Sequence, residues 1–309
     1  MAFALKSSET FDSGIKRILH HELGDINDQL SSIKGNKKTP FHEARKGLKK
    51  CRSALRLIRP DIGETAFRRE NTACRDVARL ASEIRDAQVM VDTFDELMDH
   101  YPNKIGSDVL EPIRREIRKR ASRRIEESLQ RPSQFRKARA DLKKSDERIA
   151  HLRLEEKGWD SIETGMFELY RQGRKKYRRA EKGPSDTSFH EWRKTTKYLR
   201  HGLELVEGSW PNVLGETTKE LHALGDLLGA DHDLTMLREE LEKKPSELGG
   251  AKKLEPLIAL IDRRQQELRQ QALVSGEKLF AEKPGAFIKR LHHYYNAWRK
   301  LAAPDKAEA

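Results

Sequence analysis

Apolar residues recur at helical spacing along almost the whole chain. Segment 41–58 shows the pattern most clearly: Phe41, Ala44, Leu48, Cys51, Leu55 and Ile58 follow one another in steps of 3, 4, 3, 4 and 3. Such steps place every one of these side chains on a single helix face and make a continuous core-facing seam. The same reading predicts helices over 11–34, 40–59, 63–99, 108–130, 133–155, 159–181, 187–207, 214–243, 251–281 and 284–302. Breakers separate them: Gly35-Asn36, Pro60, Tyr101-Pro102-Asn103, Arg131-Pro132, Gly183-Pro184, Trp210-Pro211, Gly249-Gly250 and Pro284-Gly285. Long β-branched runs are absent, so the expected fold class is all-α.

The polar positions carry a second message. FHEARKGLKKCRSALRLI at 41–58 and FHEWRKTTKYLRHGLELV at 189–206 align without a gap at an offset of 148 residues. Phe41/Phe189, His42/His190, Glu43/Glu191, Arg45/Arg193, Lys46/Lys194, Lys49/Lys197, Arg52/Arg200, Leu55/Leu203 and Leu57/Leu205 are identical. A generic helical repeat would preserve the apolar positions; it would not keep a histidine and four cations in register. A fainter echo follows, with Leu80, Arg85-Asp86 and Phe94 matching Leu227, His232-Asp233 and Leu241. The expected architecture is two four-helix-bundle-like halves related by pseudo-twofold symmetry, residues 5–155 and 156–303, with a disordered tail over 304–309.

One residue off the apolar seam runs a row of bases: His42, Arg45, Lys49, Arg52, Arg56 and Arg59, widened by Lys46 and Lys50. The row is rotated about 100° from the seam. Segment 40–60 holds seven Lys/Arg and one acid. A solvated helix face normally mixes signs, because like charges at i,i+4 weaken the helix. An uncompensated row therefore points to an anion lying along it. The second copy keeps His190, Arg193, Lys197 and Arg200 on the same line, with Lys194 beside them, and then ends in Glu204 and Glu207. Arg114, Arg118, Arg171, Arg174 and Arg178 are further candidate contacts from other helices.

Composition agrees with this picture. Lys and Arg number 62 against 50 acidic residues, a formal net charge of +12, and charged and hydrophobic residues each make up 36% of the chain. The sign selects anionic partners: nucleic acid, acidic lipid surfaces or phosphate polymers. Cys51 and Cys74 alone give no disulfide framework and no metal-type spacing, which fits a reducing, cytoplasmic setting. MAFALKSSET lacks the apolar core of a secretory signal, and no stretch approaches the roughly 20 apolar residues of a membrane span.

Thr39 and Thr187 are expected helix N-caps, with Ser188 and Glu191 an alternative capping box in the second copy. His42 and His190 would then lie in the first turn, where free N–H groups and the helix dipole favour a bound phosphate. An arriving phosphate should raise the pKa of both imidazoles.

The doubled pattern resembles the conserved histidine α-helical domain, the CHAD family. The motif residues are His42, Arg45, Lys49, Lys50 and Arg52, then His190, Arg193, Lys194, Lys197 and Arg200, with Lys49 and Lys50 standing where arginines are more usual. The resemblance covers about 5–303. It implies two packed helical bundles, a basic central channel or groove, binding of inorganic polyphosphate, and association with polyphosphate granules and their proteins. No cofactor or metal is implied.

Two other functions compete. General nucleic-acid binding suits the charge, but helix-turn-helix, zinc-finger and RNA-recognition signatures are missing, as is aromatic interleaving for base stacking. A metal-dependent phosphoanhydride hydrolase would need a ligand set, for which His20-His21-Glu22, His222 with Asp226, Asp231-His232-Asp233 and His292-His293 are scattered candidates. Glu240-Leu241-Glu242-Lys243-Lys244 has the Glu-x-Glu-x-Lys form of a triphosphate tunnel, which works on a strand. Here it ends a predicted helix. The expectation is a binding protein, not an enzyme.

Overall fold

The computed structural model describes residues 3–31 and 39–302. Ten α-helices and no strand occur among the described residues. They are α1 Phe11–Ser31, α2 Thr39–Leu57, α3 Arg59–His100, α4 Ser107–Leu129, α5 Pro132–Ala150, α6 Asp160–Lys182, α7 Asp186–Val206, α8 Pro211–Lys243, α9 Ala251–Leu279 and α10 Pro284–Ala302. The Gly35-Asn36 break, the predicted end of the first helix at 32–34 and the predicted tail at 304–309 lie outside the described residues.

Most boundaries match the periodicity to within a few residues. The fifth helix is shorter than expected. It stops at Ala150, and the Asp61 carboxylate then accepts hydrogen bonds from the backbone N–H groups of Glu155 and Glu156, at 2.9 Å each. The third helix starts earlier than expected, with Pro60 among its first residues, where a missing N–H costs nothing. Gly63, at φ 75°, then kinks it. Only glycine holds that backbone conformation without strain.

The apolar seam is the core of each repeat copy. Phe41, Ala44, Leu48, Cys51, Leu55 and Ile58 are buried, and so are Phe189, Trp192, Thr196, Leu199, Leu203 and Val206 at the matching positions of α7. Burying a large apolar side chain contributes about 1.5–3 kcal/mol, so two such seams anchor α2 and α7 firmly. α2 packs on α1 and α3, α3 on α4 and α5, and α5 on α1. In the second group α7 packs on α6 and α8, α8 on α9, and α10 on α6. Across the middle α2 meets α7, and α3 meets α8.

The hydrophobic core is continuous across this middle. One cluster joins Ile18, Leu48 and Leu55 with Met166, Phe189 and Leu203. A second joins Phe94 and Ile117 with Leu237 and Ile261. Buried ion pairs brace the periphery. Glu70, fully buried, accepts both bonds of a bidentate Arg148 at 2.8 Å, tying α5 to α3. Glu240 takes Arg124 at 2.7 Å, tying α4 to α8.

α6 approaches the end of α2 closely at Gly165, where an added Cβ would stand 1.7 Å from the Leu57 carbonyl oxygen. That neighbour is backbone and cannot rotate away. Gly165→Ala is therefore expected to lower stability by about 2–4 kcal/mol, read as a drop in the urea midpoint. An unchanged midpoint would contradict the close packing.

Candidate functional site: a basic cavity between the repeated helices

The row beside each buried seam has to point somewhere, and α2 and α7 pack against each other. Their rows therefore converge. A cavity of about 820 Å3 lies where they meet, closed by α3 on one side and α8 on the other. Its wall contains His42, Arg45, Lys46 and Lys49 from α2, and Arg193, Lys197 and Arg200 from α7. Ser82, Arg85 and Asp86 come from α3, and His232 and Asp233 from α8. Among the described lining residues, eight are Lys or Arg, four are Asp or Glu, and none is Phe, Tyr or Trp. Gly225 and Gly229, one turn apart on α8, face the long stems opposite: Lys197 Cε and Arg193 Nε lie 3.9 Å from where a Cβ would be, an ordinary contact distance.

Two carboxylates partly offset the cations. Arg45 donates to the Ser82 hydroxyl and lies 3.7 Å from Asp86. Asp233 sits in the fields of Arg193, Arg85 and Lys197, yet burial still pushes its pKa up. Burial also lowers the pKa of Arg45 and Arg193, against the opposing pull of Asp86 and Asp233. The lysines respond most. Burial, then Arg45 and Arg193, takes Lys49 down to about 8. Burial, then Arg193 and Lys49, takes Lys197 down to about 7. One N–H of Arg85 and the Nε–H of Arg193 are buried without a hydrogen-bond partner. Buried donors are normally satisfied, so the wall carries unused capacity for an acceptor.

Other predicted positions are placed elsewhere. Arg52 and Arg56 continue the row past the cavity, where α3 and α7 close over it. Both donate to the Asn71 side-chain oxygen, at 3.1 and 2.9 Å, and Arg56 lies over the Tyr198 ring at 4.0 Å. Lys50 turns towards α1, pairs with Glu22 at 2.9 Å and covers the Phe3 ring. Lys194 is half exposed and pairs with Glu191 of its own helix, while Lys46, in the cavity wall, is likewise half exposed and pairs with Glu43. Arg114 and Arg118 share Asp95. Arg171 pairs with Glu168, Arg174 donates to the Phe280 carbonyl, and Arg178 is exposed, so these three are not in the cavity wall. The row on α2 is also better compensated than its own segment implies. Asp86, Asn71 and Glu22 face it from α3 and α1, helices that spacing alone cannot bring alongside.

The histidines are less alike than their positions in the repeat suggest. His42 lies in the first turn of α2, at the cavity mouth, its pKa lowered by burial and by Arg85, Lys49 and Lys46. The side chain of Thr39 lies outside the described residues. α7 is capped by neither Thr187 nor a Ser188–Glu191 box. Ser185 is the N-cap, exchanging hydrogen bonds with Ser188, so the helix begins at Asp186 and His190 falls in the second turn. His190 is held by His232, with the two Nδ1 atoms 3.3 Å apart. Its pKa is lowered by burial, Lys194 and Arg193, while burial, Arg193 and His190 take His232 down to about 3. Neutral, His232 adds no charge to the wall.

Arg85, Asp86, His232 and Asp233 belong to the wall although the basic rows do not include them. Their signal in the sequence is the fainter echo, where Arg85-Asp86 matches His232-Asp233. The far rim of the cavity carries Glu96, His100, His222, Asp226 and Arg264. His222 and Asp226 pair on α8 at 3.2 Å. His20 pairs with Asp146, His21 with Asp25, and His292 stacks on Trp159. No group of three or more His, Cys, Asp or Glu among the described residues is placed to hold a metal ion. The Glu240–Lys244 stretch ends α8, with Glu240 buried against Arg120 and Arg124. Among the described residues, no helix is long and apolar enough to cross a membrane.

The CHAD domain family model matches residues 17–242, well over half of the chain. Among solved structures, the CHAD domain from the plant Ricinus communis superimposes with a TM-score of 0.55 at 20% sequence identity, covering 94% of this chain and 95% of that one. No curated protein matches.

A lysine amine whose folded pKa lies below its unfolded value destabilises the fold. The unfolded chain binds more protons between the two values, so the penalty is full below about pH 7 for Lys197 and fades as pH rises towards 10.5. Lys197→Met is expected to raise stability by about 1–4 kcal/mol at pH 6.5 and to lose most of that advantage at pH 10. Paired thermal melts at the two pH values check this; an advantage independent of pH would place its origin in packing.

Proposed function

From a chain that belongs to the CHAD domain family, we propose a protein that captures inorganic polyphosphate in the cavity between α2 and α7. The observation that carries this reading is the convergence of both basic motifs on one space of about 820 Å3 whose described wall has no Phe, Tyr or Trp ring. A single-stranded nucleic acid is normally held by stacking its bases on aromatic side chains. This wall offers none of the large Phe, Tyr or Trp rings among its described residues. Polyphosphate has no bases and presents negative charge at every unit, which suits a wall of guanidinium, ammonium and imidazole groups.

Capture is electrostatic and multivalent. Successive phosphates meet Arg45 and Lys49 from one side and Arg193, Lys197 and Arg200 from the other. Arg supplies paired donors in a fixed fork and Lys a point charge. Counterions released from the polymer drive binding, so affinity falls steeply with salt. The protein reads as a binder without a resident cofactor, not as an enzyme. Phosphate release from polyphosphate, with or without divalent metal, would count against that part. The reading extends to a cytoplasmic protein resident on polyphosphate granules, with granule proteins as neighbours.

Protonation couples to binding. Lys197 and Lys49 start at about 7 and about 8, and an adjacent anion raises both. Binding therefore takes up protons, and affinity is level below about pH 7 and declines as pH rises towards the ordinary lysine range. Calorimetry at pH 8 in buffers of different ionisation enthalpy should show net proton uptake; none would contradict the assignment of these amines to the site.

Position should matter more than charge count. Arg45→Gln and Arg193→Gln are each expected to weaken polyphosphate binding at least tenfold. Arg52→Gln, outside the cavity, and Lys252→Gln, outside the motif, should change it less than threefold. Equal losses at all four positions would mean that net charge, not the cavity, carries affinity.

A further inference from the structure

Lys197 differs from the other lysines in what surrounds it. Arg193 and Arg200 flank it on its own helix, one turn before and one turn after. Lys49 faces it from α2, and Asp233 from α8 is the carboxylate within electrostatic range. It lines the cavity together with Arg193, Arg200 and Gly225, its stem passing beside Gly225. Cations on several sides with poor hydration disfavour the ammonium form, the arrangement by which buried lysines become nucleophiles. Two of these neighbours, Arg193 and Arg200, carry guanidinium groups, whose paired donors match a phosphate.

We propose that Lys197 is an acylation site for acyl phosphates, small molecules that carry a transferable acyl group on a phosphate, with Arg193 and Arg200 holding the phosphate. The neutral amine nitrogen attacks the acyl carbonyl carbon. The bond from that carbon to the bridging phosphate oxygen breaks, and inorganic phosphate leaves with the bonding pair. The nitrogen gives its extra proton to the departing phosphate or to water, and an amide remains. No oxidant, reductant or metal is needed. The amide carries no charge, so modification removes one cation from the centre of the cavity. Lys49, with Arg45, Arg193 and Arg85 around it, is the slower twin.

Acylation at this position rests on the anion-binding reading of the cavity. Near pH 7 about half of an amine titrating at 7 is neutral, against less than about 0.1% for an ordinary lysine. Part of that advantage is lost because a weaker base is a weaker nucleophile. The net expectation is modification on the order of ten- to a hundredfold faster than at exposed lysines.

The test incubates the full-length protein with acetyl phosphate at pH 7 and follows each lysine by peptide mass mapping, with and without long-chain polyphosphate. Lys197 should acetylate first, well ahead of Lys252 and Lys253, and polyphosphate should protect it. The treated protein should lose affinity for polyphosphate. Lys197→Arg, which keeps the charge, should lose much less affinity on treatment than the unsubstituted protein. Lys252 and Lys253 reacting as fast as Lys197 would overturn the proposal while leaving polyphosphate capture intact. Selective reaction at Lys197 in a protein that polyphosphate neither binds nor protects would uphold the acylation site and overturn the polyphosphate reading.

Discussion

Everything distinctive about this structure depends on holding like charges together where water is scarce. Arg45 and Lys49 on α2 face Arg193 and Lys197 on α7 across one cavity, and burial depresses the pKa of all four. Such an arrangement opposes folding. It persists because the adjoining seams leave no choice. Phe41 through Ile58 and Phe189 through Val206 form buried seams, and the row one residue along each helix is carried with them into the α2–α7 contact. Asp86 and Asp233, from the next helix in each half, return part of the lost stability. A polyanion entering the cavity would return more.

The helices and the candidate chemistry are largely legible in the sequence. Amphipathic spacing reports which residues face inward, and the ten helices among the described residues follow from it with shifts of a few residues. The repeated histidine and cations report which polar positions matter, because a helix alone does not require them. Convergence is not legible. A periodic row says which side of a helix is basic, but not which helix lies opposite. Lys50 and Arg52 therefore look like members of the same stripe as Lys49. In the fold, Lys50 turns to Glu22 and Arg52 to Asn71, because α1 and α3 pack against those flanks. The cap of α7 escapes the sequence for a related reason. Ser185, Thr187 and Ser188 are all chemically able to cap, and the choice is made by where the chain enters the helix. The Arg85-Asp86 and His232-Asp233 echo is visible in the sequence, yet only the fold shows Asp86 and Asp233 to be the counter-charges of Arg45 and Arg193.

The geometry also changes what capture means. A basic stripe along a helix would hold a polymer lengthwise on the surface and would accept any polyanion of suitable charge density. A cavity walled mainly by α2, α3, α7 and α8 favours a slender chain, and the lack of Phe, Tyr and Trp among its described lining residues weakens the usual grip on nucleobases. On the proposed reading, selectivity would come from shape and from the carboxylates already inside. A single phosphate competes with Asp86 and Asp233 charge for charge, whereas a linear polymer brings several charges in one event.

If the cavity is built for polyphosphate above other polyanions, competition should reveal it. The most direct measurement is a titration with labelled long-chain polyphosphate near physiological salt, competed by duplex DNA and single-stranded RNA at matched phosphate concentration. Neither nucleic acid should displace the polymer until present in an excess of orders of magnitude. Displacement by either at equal phosphate would contradict polyphosphate selectivity and identify the protein as a general polyanion binder.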